Sequence, residues 1–132
     1  MDATLPPQNE TLLIVDDEPL MTDVFRQFMS RRGYHVLTAA SGEEALRVID
    51  KETDGVDLII TDMTMPDVDG AQLARRLYER SPDVPVMIAS GHDLDPVAMG
   101  VTPNVVEVVR KPYQNRHLAE RIRDILDRQK NG

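Results

Sequence analysis

Residues 56–70 read VDLIITDMTMPDVDG. Val56 to Ile60, interrupted only by Asp57, is an apolar run of the length of a buried strand, and it leads to a carboxylate, Asp62. Met65-Pro66 then turns the chain, and two more acids, Asp67 and Asp69, precede Gly70. A strand built to leave water thus delivers an acid to its end, where a sheet meets solvent.

The same pattern recurs on either side. TLLIVDD, residues 11–17, is a short apolar run ending in Asp16 and Asp17, and YHVLTAA, residues 34–40, is a second strand. VPVMIAS, residues 84–90, is a fourth that ends in Ser90, and Val105 to Val109, broken by Glu107, is a fifth that closes on Arg110, Lys111 and Pro112. Helical spacing fills the intervals. Pro19 suits a first helical turn, and Leu20, Met21, Val24, Phe25, Phe28 and Met29 are expected to form one buried face before Gly33. Ser41 and Glu44 make a capping box ahead of Ala45, Leu46, Val48 and Ile49. Leu73, Ala74 and Leu77 mark a third helix, and Leu118, Ala119, Ile122, Ile125 and Leu126 mark the last. Between Gly91 and Asn104, Pro96 can open a helix, but Gly100 and Pro103 limit it to about a turn.

Strands alternating with helices predict an α/β fold, a five-stranded parallel sheet with helices on both faces. At 132 residues the chain is one domain. Residues 1–10, with Pro6-Pro7, read as a flexible N-terminal tail, 11–128 as the domain and 129–132 as a C-terminal tail. A net charge of −8 argues against direct binding of nucleic acid, and no apolar run is long enough for membrane insertion. MDATLPPQNE lacks the features of a secretory signal, so a cytoplasmic location is expected. Without cysteine there is no disulfide framework and no thiolate chemistry.

In a parallel sheet the ligand crevice lies beyond the carboxyl ends of the strands. Those ends carry Asp16, Asp17, Asp62, Ser90 and Lys111. Carboxylates gathered there repel one another unless their pKa values rise or a cation neutralises them, and oxygen ligands on a crowded rim suit Mg²⁺. DVDG, residues 67–70, lacks the ligand run and closing glutamate of a calcium loop. A carboxylate-held ion with a lysine and a hydroxyl opposite is a set of parts for phosphoryl transfer, in which Asp62 can itself be the nucleophile. Acids ahead of Pro19 also serve as helix caps, and Ser90 can satisfy backbone groups at a strand end.

VDDEP, ITDMTMPDVDG, Ser90-Gly91 and RKPY, in that order and spacing, resemble the signatures of the receiver domain of two-component response regulators over residues 11–128. ITDMTMP, with Gly91-His92 after the serine, is similar to receivers attached to hybrid sensor kinases. The resemblance implies a flavodoxin-like strand order 2-1-3-4-5 and a phosphorylatable switch. Asp62 matches the phosphoacceptor, charged from a phosphohistidine on a sensor histidine kinase or a histidine phosphotransfer protein. Asp17 matches the direct Mg²⁺ ligand, Asp16 the acid that reaches the ion through water, and Thr64 the residue whose backbone carbonyl completes the metal site. Ser90 matches the switch hydroxyl and Lys111 the lysine that pairs with the phosphoryl group. Such a domain is not an enzyme in its own right, and it signals to an output protein by contact.

Val108 departs from the pattern, because the family often has an aromatic residue three places before the lysine. With a short fourth helix as well, phosphorylation is expected to order or shift residues 91–104 instead. Three alternatives stand beside this reading. A Mg²⁺ phosphohydrolase with an aspartyl-phosphate intermediate would want a second acid where Thr64 stands. A flavin-binding module would need a phosphate loop where DDEPLM places acids. A receiver-like scaffold would work without phosphorylation.

Overall fold

The computed structural model describes residues 9–52 and 55–131. The chain alternates through β1 (Thr11–Val15), α1 (Pro19–Arg31), β2 (His35–Ala39), α2 (Gly42–Lys51), β3 (Leu58–Asp62), α3 (Gly70–Arg80), β4 (Val86–Ser90), α4 (Pro96–Met99), β5 (Val105–Arg110) and α5 (Asn115–Asn131). All pairings are parallel, and the strand order is β2-β1-β3-β4-β5. This is the flavodoxin-like arrangement.

The strands are continuous apolar runs because both faces of the sheet are covered. Successive side chains point to opposite faces, so Leu12, Ile14, Leu58, Ile60 and Met87 join Phe25, Met29, Leu118 and Ile122 in one core layer. Leu13, Val15, Ile59, Val86 and Ile88 join Leu46, Leu73 and Leu77 in the other. Asp57, inside the apolar run from Val56 to Ile60, stands before β3 and accepts a hydrogen bond from the Thr11 N–H at 2.8 Å. It ties the start of one strand to its neighbour, and β3 begins one residue later.

The apolar residues of α1 do not share one face. Phe25 and Met29 are buried, with Thr22 on the same stripe, whereas Leu20, Met21 and Val24 are 82%, 58% and 57% exposed. At 100° per residue the six apolar positions spread over an arc of about 180°, wider than the stripe that meets the sheet, so only its Phe25 and Met29 edge is buried. α4 has four residues, opened by Asp95, whose carboxylate accepts from Val97 N–H at 3.0 Å, and closed by Gly100 at φ 64°. It is as short as Pro96, Gly100 and Pro103 predict. β5 is an edge strand with a register shift opposite Val86-Met87, which leaves Val106 41% exposed.

Both expected tails need correction at their inner ends. Residues 1–8 of the N-terminal tail lie outside the described residues. Glu10 does not behave as tail, because it is 7% exposed and its carboxylate meets Arg123 at 2.7 Å and Lys130 at 2.8 Å. At the other end α5 continues through Asn131, past the expected boundary at 128, and Lys130 within that last stretch is one of the two cations holding Glu10.

Candidate functional site

β1 and β3 are neighbours, so the acids that follow or end them meet at one rim. Carboxylate oxygens of Asp16, Asp17 and Asp62 all lie within 4.8 Å of one another. Lys111, one residue past β5, brings Nζ to 3.1 Å from Asp62 Oδ1. Its backbone N–H donates to the Ser90 carbonyl at 2.7 Å, which locks the ends of β4 and β5 together. Ser90 is 2% exposed, and its Oγ accepts from the His92 N–H at 3.0 Å. The hydroxyl proton remains available to another acceptor. Thr64, two residues past Asp62, is exposed on the turn that follows β3.

One ammonium faces three carboxylates, and the electrostatics reflect the imbalance. Burial pushes Asp16 above the ordinary carboxylate value, and the charge of Asp62 adds to it against the Glu18 N–H and Lys111. Burial pulls the Lys111 pKa down, but the hydrogen bond and charge of Asp62, with Asp16 behind it, outweigh that and raise it. The donor set suits a hard divalent cation: several carboxylate oxygens, partly exposed, with room for water. A hollow of about 270 Å³ opens beside Asp16 and Asp17, lined by Pro19, Thr22, Arg26 and Glu44 among others.

The acids after β3 have separate tasks. Asp69 caps α3, accepting from Gln72 N–H at 2.7 Å while the Gln72 side chain accepts from Asp69 N–H at 2.9 Å. Asp67 reaches across to α2, where it accepts from Gly42 N–H at 3.1 Å and Glu43 N–H at 2.9 Å. Burial raises its pKa, but these N–H groups lower it more, to a net value below the usual carboxylate. Glu44, the partner expected for Ser41, reaches back to Ala40 N–H at 3.1 Å as Ser41 Oγ accepts from Glu44 N–H. The reason for Gly70 is contact: a Cβ there would lie 2.9 Å from the Asp62 carbonyl oxygen and 3.1 Å from Met63 Cα. Its N–H donates to the Met63 carbonyl at 2.8 Å, so α3 starts pressed against the backbone that carries Asp62.

Asp16 is also used locally, accepting from Glu18 N–H at 3.0 Å, yet Glu18 rather than either aspartate is the N-cap residue of α1. Tyr113, the last residue of RKPY, lines the site beside Asp16 and Asp62. Its ring packs edge-on against Phe25 at 6.5 Å and, with Asp16, Asp62, Thr22 and Met21, encloses a hollow of about 20 Å³.

Residues 12–123 match the family model of the response regulator receiver domain, and the chain belongs to that family. Receiver domains are signalling domains, and the sheet order found here is that of their fold. The chain is 37% identical over 117 residues to the transcriptional regulatory protein GlrR of Escherichia coli, covering 88% of this chain and 26% of that protein's length. Among solved structures it superposes on the receiver domain of the hybrid histidine kinase CckA with a TM-score of 0.75 at 34% identity, covering 88% of this chain and 98% of the other. It superposes on the response regulator TrrA of Thermotoga maritima, solved with Mg²⁺ and BeF, with a TM-score of 0.73 at 26% identity, covering 87% and 97%. Receivers of transcriptional regulators and of hybrid kinases thus match at similar identity, which does not divide the two groups. No helix of the described residues is long and apolar enough to cross a membrane.

Proposed function

We propose that Asp62 is the phosphoacceptor of a Mg²⁺-dependent switch. The observation that carries this is the convergence of Asp16, Asp17 and Asp62 within 4.8 Å, with Lys111 the one cation among the described residues that forms an ion pair with them. Asp17 and Asp62 would hold the ion directly, Asp16 through water, and the Thr64 carbonyl would complete the set. When bound, Mg²⁺ supplies positive charge to the transferring phosphoryl oxygens.

In the reaction an Asp62 carboxylate oxygen bonds to phosphorus as the P–N bond of a phosphohistidine breaks and the imidazole leaves. Lys111 follows the charge from the carboxylate to a phosphoryl oxygen, and the Ser90 hydroxyl donates to another. Water later attacks phosphorus and restores the carboxylate. The domain assists its own phosphorylation and hydrolysis but transforms no other substrate. The exposed Leu20, Met21 and Val24 of α1 begin next to the acidic rim, and they offer an apolar seat for the histidine-bearing helix of a sensor kinase or phosphotransfer protein. The output is contact with another protein through residues 91–104, in the cytoplasm, from a domain spanning 11–128 and the last turn of α5.

A phosphohydrolase would need an acid at the exposed position of Thr64, and a scaffold would have no use for three converging carboxylates. Melting of the wild type and of Asp62→Asn with Mg²⁺ and beryllofluoride tests the proposal. A rise of several degrees is expected in the wild type only, and only with both ions, because a ligand selective for the folded state stabilises it by mass action. No rise in the wild type would move the scaffold reading to the front.

A further inference from the structure

The fork of Arg110 joins the phosphoryl-binding rim to the segment after β4. Arg110 is the last residue of β5 and pairs in register with Ser90. Its Nε donates to the Gly91 carbonyl at 3.2 Å, and its Nη1 pairs with the Asp93 carboxylate. The next residue, Lys111, holds the Ser90 carbonyl through its N–H at 2.7 Å and holds Asp62 through Nζ at 3.1 Å. Two consecutive residues therefore grip both sides of one short segment. Lys111 faces the acid, and Arg110 faces the loop.

The loop has few other ties. His92 offers its N–H to Ser90 Oγ, Leu94 packs partly against the core, and Asp95 caps a four-residue helix whose Val97 is 89% exposed. A guanidinium suits the joint because its planar fork can hold a carbonyl and a carboxylate at once, which an ammonium cannot do with the same geometry. The pair is solvent-exposed, at 56% for Arg110 and 93% for Asp93, so the grip is weak enough to shift with the strand ends.

From this geometry we infer that Arg110 is a positioning residue that carries the displacement of Ser90 and Lys111 into residues 91–99. The inference rests on Asp62 being the phosphoacceptor. A phosphoryl group moves the partner of Lys111 outward from the Asp62 carboxylate, and the bond from Lys111 N–H to Ser90 makes both strand ends respond together. Arg110 then transmits that response to Gly91 and Asp93 by its side chain. The residue does the work of a readout where Val108 supplies no aromatic ring.

The test is amide exchange across residues 91–99, with and without Mg²⁺ plus beryllofluoride, in the wild type, Arg110→Gln, Arg110→Lys and Asp93→Asn, each checked by melting in the same samples. Without ligand, Arg110→Gln is expected to exchange roughly two- to fivefold faster over residues 91–95, the scale of an exposed ion pair. With ligand, the wild type changes its exchange there, whereas Arg110→Gln keeps the melting rise, with its midpoint moved by no more than about fivefold, and loses the exchange response. Arg110→Lys restores only part of it. Asp93→Asn alters a fully exposed side chain and gives the same direction if Arg110→Gln folds poorly. An equal exchange response in wild type, Arg110→Gln and Asp93→Asn, or none in a wild type that does show the melting rise, overturns the role of Arg110 alone. Absence of the melting rise in the wild type overturns the phosphoacceptor assignment and the inference with it.

Discussion

The two ends of the sheet gather charge in opposite ways. At the carboxyl ends of the strands three carboxylates share one ammonium and stay partly open to water. At the other end Glu10, 7% exposed, meets both Arg123 and Lys130, and Arg123 also reaches Tyr34 Oη at 3.2 Å and Asp127 at 2.9 Å. The hydrogen bond and charge of Arg123, helped by Lys130, hold the Glu10 carboxyl down to about 2 despite burial. One cluster is charge-matched and closed, which serves stability. The other is charge-mismatched and open, the condition that the proposed cation and phosphoryl site requires.

The contrast predicts opposite signs for removing a carboxylate. Glu10→Gln should destabilise the fold by on the order of 3 kcal/mol at neutral pH, read from urea unfolding. The folded pKa of Glu10 is depressed, so its contribution is fully present above the ordinary value of 4.5 and is lost as the pH falls through about 2. The gap between wild type and Glu10→Gln should therefore narrow across that window, and a gap that stays constant would show that packing rather than charge accounts for it.

Gly70→Ala should cost about 1–3 kcal/mol, because the new methyl meets the Asp62 backbone, and it should weaken beryllofluoride binding as that backbone shifts. Loss of stability with unchanged binding would separate the α3 contact from the site. Asp16→Asn should stabilise the metal-free fold by about 1 kcal/mol, chiefly because a charge is no longer buried and secondarily through relief of repulsion from Asp62, while the amide still accepts from Glu18 N–H. Adding Mg²⁺ should reverse the order of the two proteins in melting. The exposed pair of Asp50 and Arg80, which links α2 to α3 at 2.8 Å, provides the smallest effect: Arg80→Ala should change stability by less than about 0.5 kcal/mol.

The sequence shows one end of the sheet far better than the other. Buried parallel strands are short apolar runs, so their ends, and with them Asp16, Asp17, Asp62, Ser90 and Lys111, can be placed by local pattern. Glu10 and Arg123 are 113 positions apart, and Asp67 reaches N–H groups 24 and 25 positions away. Neither pairing leaves a local trace, since the fold alone brings the partners together. In α1 the apolar arc is wider than the face that meets the sheet, so spacing alone does not separate Leu20, Met21 and Val24 from Phe25 and Met29, and the exposed edge adjoins the acidic rim. Tyr113 is part of the RKPY motif, but its place beside the acids and its edge-on packing on Phe25 come from the fold.

The most direct measurement is mass mapping of the acyl phosphate after incubation with phosphoramidate and Mg²⁺. The expected result is one phosphoryl group on the peptide carrying Asp62, absent when Mg²⁺ is chelated and absent in Asp62→Asn. A phosphoryl group on another residue, or none in a wild type that remains folded, would contradict it.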